Sequence, residues 1–152
     1  GVQATSDPRV GEALQEASSL DPDPTVRTLA AYGLCARGDR RGVTRVVATL
    51  RERETQGADP RGVYSEAIRL PVPYLYRALG HAGGPEATRF LIEAAERAPQ
   101  AVRLVAIPAL ALVRDDDGVE RTLAALAGDR DPAVRGVAAY VLGERSRWRA
   151  RP

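Results

Sequence analysis

The apolar residues of this chain fall into stripes at helical spacing. Val134, Ala138 and Leu142 follow one another at intervals of four, and Val26, Ala30 and Leu34 repeat the pattern 108 residues earlier. One stripe on an otherwise polar helix marks the face that packs against a core. Both stripes open on the same signal, Asp131-Pro132 and Asp23-Pro24. An aspartate before a helix accepts a bond from one of its free backbone N–H groups. A proline at the first helical position loses no bond there. Arg135 and Arg27 lie four residues after their aspartates, so an ion pair is expected across each first turn. Further stripes alternate with these: Val10, Leu14, Ala17 and Leu20; Val43, Val46, Val47 and Leu50; Phe90, Leu91, Ala94 and Ala95; and Val119, Leu123, Ala124 and Ala127. The pattern predicts antiparallel helix pairs joined by Asp, Gly and Pro turns. No run of strict alternation argues for a sheet.

The stripes belong to a longer repeat. Asp21-Pro22-Asp23-Pro24-Thr25-Val26-Arg27 before Ala30-Ala31-Tyr32 matches Asp129-Arg130-Asp131-Pro132-Ala133-Val134-Arg135 before Ala138-Ala139-Tyr140. Leu34, Leu79, Leu110 and Leu142 close four successive units, and Val102-Arg103 marks the third. A recurrence of this length is the sign of a solenoid, in which each unit buries its face on its neighbours. The expected fold is all-α: a right-handed α-solenoid of about four antiparallel helix pairs. It forms a single domain over residues 1–152, with repeats at roughly 7–38, 39–83, 84–114 and 115–145 and a basic tail at 146–152. The second unit is about thirteen residues longer than its neighbours. A loop near Thr55–Pro60, a helix over roughly Gly62–Leu70 and a break at Pro71–Pro73 are expected there. Tyr64, Tyr74 and Tyr76 cluster in this insertion, either to fill a gap in the stack or to bind. Pro108 is expected to kink the third inner helix.

The string D-x-D-P-x-V-R-x-x-A-A-x-x-L resembles the short HEAT-like repeats first associated with phycobilisome lyases. The resemblance covers roughly residues 7 to 145. It implies a ladder of Asp and Arg between repeats, which here falls on Asp23 with Arg27 and on Asp131 with Arg135. That role is structural. Scaffolds, lyases and nucleic-acid enzymes all use such repeats, so the resemblance leaves the function open.

The chain carries 22 basic residues, all arginine, and no Lys or Asn. A GC-rich bacterial genome is the expected cause. Net charge is only +2, but residues 27–53 hold seven Arg against two acids. Arg37, Arg40, Arg41 and Arg45 make a candidate anion patch, set against the plainer reading of a solvated helix face. A nucleic-acid binder or repair-type protein using residues 37–53 is therefore the alternative function, although weak net charge argues against duplex binding. The tail sets Arg145, Arg147, Arg149 and Arg151 around Trp148.

Candidate chemistry is sparse. One His and one Cys leave no cluster for a zinc site, and no nucleophile or nucleotide motif is present. No catalytic residue, cofactor or metal is expected. Gly80-His81-Ala82-Gly83-Gly84 reads as a helix end. Asp115-Asp116-Asp117-Gly118 reads as a cap, since it lacks the spaced ligands of a calcium loop. A bilin-lyase-like role rests on the resemblance alone. No stretch is apolar enough to span a membrane and no leader is visible, so a cytoplasmic location is favoured. The chain begins at Gly1, which also fits a trimmed or partial form.

What remains for function is a surface. The inner helices should line a concave face, where the position two before each closing leucine holds Tyr32, Arg77, Pro108 and Tyr140. Thr28 and Leu104 are expected one turn earlier on that face. Tyr and Arg are common interface anchors. The function expected is a non-catalytic scaffold that binds a partner protein or peptide through Tyr32, Arg77, Tyr140, Thr28 and Leu104.

Overall fold

The structure is a computed structural model that describes residues 7–55, 70–114 and 116–151. Its described residues form eight α-helices. They are α1 (Pro8–Leu20), α2 (Pro24–Ala36), α3 (Val43–Thr55), α4 (Val72–Ala82), α5 (Gly84–Arg97), α6 (Gln100–Leu112), α7 (Asp117–Leu126) and α8 (Pro132–Arg149). One turn of 3-10 helix, Arg40–Gly42, leads into α3. The described residues include no strand. The expected helix over Gly62–Leu70 lies outside them except for its last residue.

The caps form as the sequence predicts. The Asp23 carboxylate accepts the Thr25 N–H at 2.7 Å, and Asp131 accepts that of Ala133 at 2.8 Å. Asp7, Asp39 and Asp116 cap α1, the 3-10 turn and α7 in the same way. Pro71 precedes α4 and Pro73 sits in its first turn, so the break expected at Pro71–Pro73 is where α4 starts. At Gly83 and Gly84 φ is +63° and +85°, the left-handed region that glycine tolerates. There the chain turns directly from α4 into α5.

The helices stack in two layers. In one, α2 packs on α4, α4 on α6 and α6 on α8; in the other, α3 packs on α5 and α5 on α7. Each helix of the second layer also packs on its partner in the first, α1 on α2 through to α7 on α8. One cluster of buried residues runs from Ala31 to Val141, with Leu79, Leu91, Ile107 and Leu123 fully enclosed. Small residues set the helix spacing. A Cβ at Gly80 of α4 would land on the Ala109 carbonyl oxygen of α6, and one at Gly42 on that of Ala31.

The two ends depart from the predicted stripes. Val10 and Leu20 are exposed, and α1 instead buries Gly11 and Ser18. Leu14 lies against Gly33. Val26 is also exposed. Its repeat equivalent Val134 is buried, and no described residue covers Val10, Leu20 or Val26. At the other end Leu142 is only half-buried and Val141 takes its place in the core. Pro108 lies within α6, whose helix runs on through it. Having no N–H, it leaves the Leu104 carbonyl without its helical donor.

Candidate functional site

Tyr32, Arg77, Pro108 and Tyr140 occupy equivalent positions on α2, α4, α6 and α8, the four helices of one layer. Tyr32 is half-buried, Arg77 and Pro108 are exposed, and Tyr140 is 70% exposed. Thr28 departs from the expectation. It is buried, and its hydroxyl donates to the Pro24 carbonyl at 3.1 Å. One turn nearer the helix start, its short side chain turns back onto the backbone. Leu104 is half-buried and packs against the core, which leaves it little free surface.

Within the arginine patch Arg41 is paired with carboxylates. The Arg41 guanidinium donates to Asp39 at 2.7 Å and to Glu12 at 3.2 Å. Those partners hold its proton more tightly than usual, and Arg41 in turn holds the Asp39 carboxyl below the usual range. Arg41 is therefore not the free cation that the anion patch requires. Arg40 lies against Gly84, Arg37 reaches the Asp7 carbonyl at 3.5 Å, and Arg45 is half-buried.

The ladder differs from both readings of it. Arg27 and Arg135 do not close onto Asp23 and Asp131 across the first turn. Arg27 donates instead to the carbonyls of Asp21 at 2.6 Å and Pro22 at 3.1 Å, and Arg135 to those of Asp129 at 3.0 Å and Arg130 at 3.1 Å. Asp23 and Asp131 already serve as caps, so the arginines satisfy the open carbonyls of the turn before them. The rung between repeats is Arg103 to Asp129, with both terminal guanidinium nitrogens on the carboxylate and the shorter bond 2.5 Å. Arg103 also donates to Ala95 at 2.8 Å, and Gln100 reaches Asp131 at 2.6 Å across the same junction. Arg103 aligns with Arg27 and Arg135, so the repeat itself carried this signal.

Sequence reasoning missed a second feature. Between the second and third helix pairs lies a cavity of about 450 Å³, within the size range of small-molecule pockets. Leu50 of α3, Val72 and Tyr76 of α4, Phe90 and Ala94 of α5 and Val102 of α6 line its buried part. Tyr76 and Phe90 meet with ring centroids 5.8 Å apart, so Tyr76 fills the stack as one reading of the insertion held. Exposed Arg51, Glu54, Glu93, Arg97 and Pro99 lie at its rim. Arg51 stacks over Phe90, 5.2 Å from the ring centroid. Arg53 also lines the cavity and is 8% exposed. Neither Nη1 nor Nη2 has a hydrogen-bond partner. Burial lowers its affinity for the proton, and it pushes the Glu54 carboxyl up, helped by Glu93 and opposed by Arg51. The sequence held the clue. Val43, Val46 and Leu50 lead by steps of three and four to Arg53, so an arginine stands in the apolar phase of its helix.

The remaining candidates are structural. Asp116 holds the N–H groups of Gly118 and Val119. Cys35 is buried, which pushes its thiol up to about 12. Among the described residues no group of three His, Cys, Asp or Glu could hold a metal ion. None of the described helices is long and apolar enough to cross a membrane.

A family profile for HEAT repeats matches residues 88–152, which spans α5 to α8. No curated protein matches the chain. The matched region contains the Arg103–Asp129 rung and the capped start of α8, and α2 repeats that start 108 residues earlier. Residues 88–152 are thus similar to HEAT repeats, and the all-α stack of the described residues is compatible with a HEAT-like solenoid.

Proposed function

We propose that this chain is a non-catalytic interaction scaffold that holds a partner protein or peptide on the face of the α2–α4–α6–α8 layer. HEAT repeats are commonly protein-interaction scaffolds. The observation that carries the reading is Tyr140, 70% exposed at the position that also bears exposed Arg77 and Pro108 on the preceding helices. A tyrosine left in water presents large area with a polar end, the profile of an interface anchor. The site consists of Tyr32, Arg77 and Tyr140 on a single repeat domain over residues 1–152. The pairing of Arg41 with two carboxylates weighs against the nucleic-acid alternative, because phosphate binding needs uncommitted cations.

A photo-crosslinker placed at Tyr140 and one placed at Glu96, exposed on α5 in the other layer, test this. Position 140 should trap a partner polypeptide in native extract and position 96 should not. Replacing Tyr32, Arg77 and Tyr140 with Ala should abolish the adduct formed from a third position on the face and leave the helical circular dichroism unchanged. Equal trapping from both layers overturns the assignment of the face. Tight, salt-sensitive DNA or RNA binding, lost on neutralising Arg40 and Arg45, would replace the function.

A further inference from the structure

We infer that the cavity between α3, α4, α5 and α6 is a small-molecule site for an amphipathic carboxylate, a ligand with one acid group on an aryl or alkyl body. Two independent observations meet there. The walls are apolar and aromatic, with Tyr76 and Phe90 side by side around about 450 Å³. Against them lies the Arg53 guanidinium, more than nine-tenths buried, with both terminal nitrogens unpartnered. A buried charge persists at high cost unless it is paired and hydrogen-bonded. Arg53 therefore marks the place of an anion.

The charge inventory selects the kind of anion. Arg51, Arg53 and Arg97 line the cavity against Glu54 and Glu93. Arg51 already stacks on Phe90. One uncommitted buried guanidinium suits a monoanion, and its planar fork matches a carboxylate with two parallel bonds. A phosphate dianion would leave a charge unmatched beside Glu93. The acid group would lie on Arg53 and the body between Tyr76, Phe90 and Val102. The rim of Arg51, Glu54, Glu93 and Arg97 is exposed, which gives the ligand a way in. This site is separate from the proposed partner face, and either can fail alone.

The probe is phenylbutyrate, titrated into the whole chain by calorimetry, with neutral phenylbutanol as its isostere. Phenylbutyrate should bind one to one and at least tenfold tighter than phenylbutanol. Arg53→Met keeps the length of the side chain and removes the charge. It should cancel the preference for the acid and leave the thermal midpoint of the free protein unchanged or raised, because an unpaired buried charge has gone. Three results overturn the inference: no saturable binding of phenylbutyrate, an acid preference that survives in Arg53→Met, or a lower midpoint in that variant. The last would mean that a carboxylate of the chain itself already satisfies Arg53.

Discussion

Gly80 decides how closely the second and third helix pairs approach, and replacing it with alanine sets two known effects against each other. Alanine in a helix interior is favoured over glycine by ~1 kcal/mol. Against that, the new Cβ would land on the Ala109 carbonyl oxygen, 3.1 Å from the Ala109 carbonyl carbon and 3.1 Å from the Leu112 Cβ. The first obstacle is backbone, which cannot swing aside as a side chain can. Ordinary contact returns only if α4 and α6 part by roughly an ångström, and interiors packed to crystal density resist that. Overpacking of this kind costs ~1–3 kcal/mol, occasionally more. The clash should win, because Leu79, Ala109 and Leu110 around it are buried to 2% exposure or less. A net loss of ~1–2 kcal/mol is expected, or roughly 2–8 °C in thermal midpoint for a chain of this size. Gly143→Ala supplies the opposite case. It lies inside α8 with nothing within 4 Å of the new Cβ, so only propensity acts and stability should rise by up to ~1 kcal/mol. Thermal melts followed by helical circular dichroism measure both. A Gly80→Ala protein as stable as the parent would refute the account of spacing.

Other consequences can be measured in the same way. Arg145 is buried on α8 and donates to the carbonyls of Ala111 and Val113 at the end of α6, so Arg145→Ala strands both acceptors. Chemical denaturation should show a loss of ~2–4 kcal/mol, since bonds from charged donors are worth ~1.5–3 kcal/mol each. Arg103→Ala should lower the thermal midpoint more than Arg135→Ala, because only Arg103 spans two repeats. Equal losses would contradict the rung. Burial raises the Cys35 thiol from 9.0 to about 12 and raises the Tyr76 phenol as well. The unfolded chain gives up those protons first, so stability that is full below about pH 9 should fall as pH rises towards 12. Urea midpoints at about pH 8 and about pH 10.5 should show the drop.

The sequence was most legible where one residue has one job. Asp-Pro pairs named the starts of α2 and α8, and the valine, leucine and alanine stripes named the buried faces of α3 and α5. Legibility failed where a residue had a choice of partners. Asp23 and Asp131 were both caps and prospective ion-pair partners, and only the fold shows that capping takes them. Thr28 reads as surface in the sequence because its position one turn before Tyr32 says nothing of its rotamer. Val10 and Leu20 looked like core because periodicity reports a face and not what covers it. Arg53 is hidden in the sequence by its charged neighbours Arg51, Glu52 and Glu54, although it shares the phase of Leu50 and Val46.

The two-layer stack also has a mechanical meaning. Among the described residues each helix pair packs chiefly on the pairs before and after it, so a pull along the stack passes through the junctions in series and the weakest one sets the yield force. The junction between the third and fourth pairs is fastened by Arg103–Asp129, Gln100–Asp131 and Arg145 on the end of α6. The junction between the first and second pairs has apolar contact between α2 and α4 and an exposed ion pair beside it, Arg41 to Glu12 at 3.2 Å. Under tension the chain should therefore give first at its amino-terminal side and hold at α5–α8, extending by steps as a spring with unequal coils does.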